Sequence, residues 1–151
     1  MLKKYTYNLS QKITIPANEQ AALVGVTDGR EIEFASEDYD ASQGGFEIEF
    51  RKGVTFTGGV PMQGTNRNTF DPTEQTLIIL AGATITDAGQ LLRLKGVSAA
   101  TTPQSRLRAS SEIIRPWLLE KDTAYALIIN NLNSSPITLY AALDWNEYEL
   151  L

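Results

Sequence analysis

Any chemistry in this chain has to run on carboxylates, amides, hydroxyls and rings, because its 151 residues include no cysteine and no histidine. Thiolate nucleophiles, disulfides, thiolate metal sites, the commonest general base and the commonest transition-metal ligand are all removed together. The sharpest remaining cluster is Asp38-Tyr39-Asp40-Ala41-Ser42-Gln43-Gly44, with oxygen ligands at alternating positions as in calcium loops. Gln43 stands where such a loop wants glycine, so an acidic, solubilising loop accounts for the run better than a metal site. Carboxylate pairs occur at Glu31/Glu33, Glu47/Glu49 and Asp144/Glu147. A glycosidase needs two carboxyls facing across a sugar at about 5–10 Å. Alternation along a wet strand face already explains acids two apart, so no catalytic residues, no metal site and no cofactor are expected. Trp117, Trp145, Tyr140 and Tyr148 could form an aromatic platform for sugars. Trp145 continues an apolar face and is expected in the core, which leaves Tyr140 and Tyr148 for exposed contacts. Arg106 and Arg108 share a face of an extended segment and could clamp acidic groups; a solvated basic patch is the plainer alternative.

These residues must be positioned by strands. Two apolar runs, Ala124–Ile129 and Ile137–Trp145, flank the turn cluster Asn130, Asn131, Asn133, Ser134, Ser135 and Pro136, which predicts a hairpin. In the second run Ile137, Leu139, Ala141, Leu143 and Trp145 fall on one face. The first run is apolar on both faces and is expected inside a sheet covered on each side. Upstream, Glu31–Phe34 and Phe46–Arg51 alternate as half-buried strands, with the polar segment Ser36–Gly45 between them read as turn-rich. Lys12–Pro16 and Ala17–Val26 read as strands, the latter turned back at Asp28-Gly29. Gly53 marks a bend, and Gly58-Gly59-Val60-Pro61 breaks regular structure. Residues 62–73 then form a long irregular loop carrying Asn66-Arg67-Asn68, of the kind that contacts something. Thr76–Leu80 and Gln90–Val97 are further strands, with Arg93 and Lys95 on one face and Leu92 and Leu94 on the other. Residues 98–105 make a second loop, and Ser111–Leu119, interrupted by Pro116, suits an edge strand or bulge. About eight to ten short strands without a long helix predict an all-β, antiparallel, jelly-roll-like sandwich.

Length favours one domain over residues 19–151, preceded by an N-terminal arm or first strand over 1–18. No apolar run approaches the roughly 20 residues of a membrane helix, and the start lacks a signal peptide's apolar stretch, so folding in a cytoplasm and no membrane contact are expected. The net charge of −5 is uneven. Glu19, Asp28, Glu31, Glu33, Glu37, Asp38, Asp40, Glu47 and Glu49 face only Arg30 within residues 19–49, whereas Lys3, Lys4 and Lys12 precede them with no acid. An acidic body argues against nucleic acid. The lysine-bearing start could meet an acidic partner or be a solvated arm.

Three stretches, "GGFEIEFRKGVTFTGG" (44–59), "VPMQGTNRNTF" (60–70) and "RPWLLEKDTAYALIINN … LYAALDWNEYEL" at the C-terminus, together resemble small jelly-roll virion proteins of tailed bacteriophages, the capsid decoration (cement) type. The resemblance implies a non-enzymatic protein made in the host cytoplasm and located on the capsid surface of the virion. It implies binding to the major capsid protein and to itself, as dimer or trimer, bridging capsomers. Under that resemblance Lys3, Lys4, Asn66, Arg67, Asn68, Arg106, Arg108 and Tyr148 are the contact residues. The alternative is a carbohydrate- or receptor-binding β-sandwich module of a phage tail or fibre. A carboxylate-only hydrolase comes last, because it needs a cleft with two converging acids.

Overall fold

In a computed structural model the chain is all-β, with residues 1–98 and 107–151 described and, for 107–115, the backbone alone. The strands are β1 (Leu2–Ile15), β2 (Gln20–Val26), β3 (Glu31–Ala41), β4 (Phe46–Lys52), β5 (Thr55–Thr57), β6 (Val60–Met62), β7 (Thr65–Asn66), β8 (Ile78–Ala81), β9 (Thr84–Asp87), β10 (Gln90–Val97), β11 (Leu107–Leu119), β12 (Ala124–Asn131) and β13 (Ile137–Leu150). They build a five-stranded sheet in the order β11-β3-β13-β1-β7 and a six-stranded sheet in the order β10-β4-β12-β2-β8-β6. The small pair β5-β9 is separate.

The connectivity is that of a jelly roll. Of the long strands taken in chain order, first pairs with last (β1, β13), second with seventh (β2, β12), third with sixth (β3, β11) and fourth with fifth (β4, β10). Antiparallel contacts β13–β3 and β12–β4 join the halves within each sheet. Such a roll winds two Greek keys into a double sheet. Everything from β5 to β9 is an insertion between the fourth and fifth long strands, which is why more strands are present than the sequence predicts.

Alternation decides the layers. Ile137, Leu139, Ala141, Leu143 and Trp145 all point inward and are buried. The first four meet Phe46, Ile48 and Phe50 of β4 and Leu127 and Ile129 of β12 in the main core. β12 is apolar on its other face as well, and that face is also covered. Ala126 and Ile128, with Ala22 and Val24 of β2, pack under Val54, Phe56, Ala83 and Ile85 of the insertion. The lysine-bearing start is not a solvated arm: β1 pairs with β13 from Leu2↔Leu150 to Ile15↔Ile137.

Two expectations fail at bulges. Between β3 and β13 the register steps from Trp145↔Phe34 to Asp144↔Ser36, so Ala35 is the extra residue. A bulge reverses which side chains face inward. Ile32 and Phe34 point in before it, and Glu37, Tyr39 and Ala41 after it. Residues 36–41 are therefore strand, not turn. In β10 the register steps from Leu91↔Arg51 to Arg93↔Phe50, making Leu92 the extra residue. Arg93 consequently turns inward beside Phe50, and Leu94 is left 54% exposed. The two bulges bring Glu37 and Arg93 together across the sandwich as a buried ion pair, with the Tyr39 hydroxyl donating to the same carboxylate. β11 is the outer strand of its sheet and shifts register between Glu112 and Trp117, as Pro116 requires.

Candidate functional site: the outer face of the five-stranded sheet and its loop

The outward side chains of β1, β13 and β3 stand in register. Lys4 lies opposite Tyr148, Thr6 opposite Asn146 and Asn8 opposite Asp144. On the other flank of β13, Asn146 faces Glu33 and Asp144 faces Ser36. These groups are joined rather than scattered. Thr6 Oγ1 donates to Asn146 Oδ1 at 2.7 Å, and Asn146 Nδ2 donates to Glu33 at 2.9 Å. The Tyr148 hydroxyl reaches the same glutamate at 3.4 Å. Asp144 accepts from Asn8 at 3.1 Å, from Ser36 at 2.9 Å and from Arg67 Nε and Nη2 at 3.0 and 2.6 Å. Partial burial raises the Asp144 carboxyl, but the donors and the Arg67 charge outweigh it and hold its pKa below the ordinary value.

Arg67 comes from the loop over residues 63–77, which lies against one end of this face. Its backbone N–H donates to the Thr6 carbonyl at 2.8 Å. Asn66 is paired with Tyr7 in β7 and donates to the Thr73 carbonyl at 3.3 Å. Asn66 Oδ1 accepts from the Asn68 N–H at 3.0 Å, and Asp71 Oδ1 accepts from the Thr73 N–H at 2.9 Å. Lys3 sits 3.8 Å from Asp71 and 4.7 Å from the Tyr5 ring centroid.

The base of the loop is held by a buried carboxylate. Glu147 accepts from the Thr76 N–H and hydroxyl at 2.8 Å each, the Leu77 N–H at 3.2 Å, the Trp145 indole at 2.9 Å and Arg30 at 3.2 Å. Arg30 stacks 4.2 Å from the Tyr5 ring centroid and donates to the Glu74 carbonyl at 3.1 Å. The Tyr7 hydroxyl donates to the Thr73 and Glu74 carbonyls at 3.0 Å. Gly64 is required where the loop crosses Trp145, since a Cβ there would come within 2.5 Å of the indole.

Of the sequence-predicted contact residues, Lys4, Tyr148 and Arg67 meet the outer face of the five-stranded sheet, whereas Lys3, over the Tyr5 ring, and Asn66, opposite Tyr7, alternate onto its other side, and Asn68 stands in the loop. Arg108 is placed elsewhere, on β11 opposite Asp40. Arg106 and most of the 98–105 loop lie outside the described residues. The proposed aromatic platform does not assemble. Trp145 is buried, Trp117 packs edge-on to Phe50 at 5.4 Å, and Tyr140 and Tyr148 sit eight residues apart along β13. Asp38 and Asp40 project from a strand, not from a loop, with Tyr39 buried between them. Of the carboxylate pairs, Asp144 and Glu147 project from opposite faces of β13, and Glu49 is occupied by Arg51 and Asn130. Among the described residues no group of three or more acids is placed to hold a metal ion.

Sequence reasoning missed Glu147 with Arg30 and Glu37 with Arg93. The first had a signal: Glu147 follows Trp145 by two residues and so shares its inward face.

No protein-family model matches the chain, and no curated relative matches it. A solved structure that does align is the crystal structure of the decameric BFDV capsid protein, over 99% of this chain and all of that one, at 13% identity and TM-score 0.28.

Proposed function

We propose that this protein is a non-enzymatic structural component of a virion, of the capsid decoration type, which binds the outside of the assembled shell and bridges capsomers. The observation that carries the proposal is how the polar groups are used. Glu147, Arg30, Tyr7 and Asp144 hold a loop and a sheet face in one conformation. A pre-organised polar surface loses little entropy on docking, and its hydrogen-bonding groups give orientation and specificity. The jelly-roll architecture itself recurs in capsid and lectin domains, and so is compatible with the proposal without deciding it.

The partner on this reading is the major capsid protein, with self-association as dimer or trimer. A ligand that spans two capsomers stabilises their joined state by mass action. The test is co-sedimentation of the purified protein with empty, expanded capsids from its source, with free sugars as competitor. Saturable binding at a fixed copy number per shell, indifferent to sugar, is expected. Absence of binding, or binding displaced by sugar, would overturn the proposal in favour of a glycan-binding module.

A further inference from the structure

We propose that the protein dimerises edge to edge, with the free edge of β1 from Ser10 to Thr14 paired antiparallel to the same edge of a second copy. This gives an interface and a two-fold axis to the self-association in the reading above, on which it rests for its place on a shell. An antiparallel strand shares its backbone groups alternately between its two neighbours. In β1 the odd-numbered residues bond β13, as at the end of the ladder, where the Leu151 N–H donates to the Met1 carbonyl at 2.8 Å. Even-numbered residues face the other way, and on that side the Thr6 carbonyl accepts from Arg67. There β7 pairs only with Tyr7 and Asn8. Among the described residues nothing pairs with the backbone N–H and C=O of Ser10, Lys12 and Thr14.

Unpaired edges invite strand addition, and proteins blunt them with prolines, bulges, short strands or inward charges. The other outer strands of both sheets are blunted in these ways. β11 carries Pro116 and a register shift, and β10 carries its bulge with Arg93 and Lys95 on the inward side. β6 has three residues, one of them Pro61, and β7 has two. From Ser10 to Thr14, β1 has no proline and no break in register, and Lys12 is its only charge. Ile13 packs half-buried against the main core, and β-branched Ile13 and Thr14 suit a ladder.

A second copy is the occupant because the edge is complementary to itself in one register. Residues whose backbone groups face outward must meet their like, which restricts where the two-fold axis can pass. An axis at Ser10 or Gln11 drives the second copy's Lys12 or Thr14 onto Asn8, where Thr65 already sits. An axis at Lys12 sets two lysines directly opposite each other, which is destabilising. An axis at Ile13 meets neither obstacle. Lys12 and the second copy's Thr14 then exchange backbone bonds in both directions, and the two Ile13 side chains meet on the inward face. Pro16, with no N–H, ends the ladder. So short a ladder makes a weak dimer, with a Kd of roughly micromolar or above, and it is favoured where copies crowd on one surface.

The experiment is sedimentation equilibrium of wild type, Thr14→Lys and Thr14→Glu from about 10 µM to 1 mM, with amide hydrogen exchange at both ends of that range. Wild type should dimerise as concentration rises. Exchange at Lys12 and Thr14 should slow, while Gln11 and Ile13, whose amides already bond β13, stay as they were. Thr14→Lys sets a lysine opposite each Lys12 and should weaken the dimer by roughly three- to tenfold, and Thr14→Glu should tighten it by a similar factor. Thr14 is exposed, so both variants should melt as wild type does. A wild type that stays monomeric throughout would overturn the proposal. So would a dimer in which the Lys12 and Thr14 amides exchange freely, or one on which the two substitutions act alike. A free monomer whose β1 edge is protected only on capsids would give the edge to a strand of the capsid protein and overturn it too. Capsid co-sedimentation is read separately: a dimer that binds no capsid would sink the decoration role and leave the edge pairing standing.

Discussion

The two outer faces of this sandwich are built on opposite terms. Over β2 and β12 the outward side chains are Ala22, Val24, Ala126 and Ile128, and the chain's own insertion closes them off. Over β1 and β13 the outward residues are Lys4, Thr6, Asn8, Asp144, Asn146 and Tyr148, most of them hydrogen-bonded to one another or to Glu33, and the insertion reaches this face through Arg67 on Asp144. Small apolar residues invite a permanent lid, because burial of their area is favourable and costs no desolvated polar group. A hydrogen-bonded polar face is stable in water and can still exchange those waters for a partner. The insertion serves both faces. Its β5-β9 pair lids one, and its 63–77 loop folds over the edge to flank the other.

Substitutions on either side of the sandwich test this contrast. The largest effect is expected from Glu147→Gln, which removes the buried carboxylate from Arg30 and leaves it only the half-exposed Glu149 at 3.7 Å. Removing one partner of a buried pair costs about 3–5 kcal/mol, readable in urea unfolding. A loss under about 1 kcal/mol, the range of an exposed pair, would show that the loop is not anchored there. Next, Ile128→Ala opens the seam under the insertion. It should cost about 2–3 kcal/mol, the low end for such truncations because the lid is only one strand pair thick. No loss would mean that the lid rests on the sheet without packing.

Smaller effects come from the charged groups. Burial raises the Glu37 pKa above its ordinary value, with Arg93 and Tyr39 only partly offsetting it. A raised folded-state pKa contributes stability that is full below the unfolded value of about 4.3 and is lost as pH rises through the folded value. The stability of wild type relative to Glu37→Gln should therefore fall as pH rises across that window, and a difference that grows instead would contradict the assignment. Least of all, Arg67→Ala removes a pair whose arginine is 57% exposed and should cost at most about 1 kcal/mol. Asp144, held low, gives stability present above about pH 3.9 and lost as pH falls through its folded pKa. Chemical denaturation at about pH 7 and again well below the ordinary aspartate pKa should show the Arg67→Ala penalty only at the higher pH.

Much of this architecture was legible in the residues. The doubly apolar run Ala124–Ile129 announced a strand covered on both sides, and the covering insertion is there. Alternation from Ile137 to Trp145 placed five inward side chains correctly. Pro116 marked the bulged outer strand. The hidden part depends on where alternation slips by one residue. Ala35 and Leu92 are the two extra residues, neither carries a glycine signal, and each reverses the faces of the strand beyond it. The first put Tyr39 inward between two outward aspartates and so hid a strand behind polar residues, and the second sent Arg93 inward. Clustering of Lys4, Arg67 and Tyr148 was legible only as a set of candidates. Lys4 meets Tyr148 through first-to-last pairing of β1 with β13, and Arg67 reaches Asp144 because β7 pairs with β1, contacts that no local pattern specifies.

Hydroxyl-radical footprinting of the protein, free and bound to assembled capsids, reads the docking face residue by residue. Tyr148 should lose its labelling on binding, while Leu91 and Leu94, on the outer face of the six-stranded sheet, label as before. Protection of Leu91 and Leu94 with Tyr148 unchanged would place the interface on the opposite face and contradict the proposal.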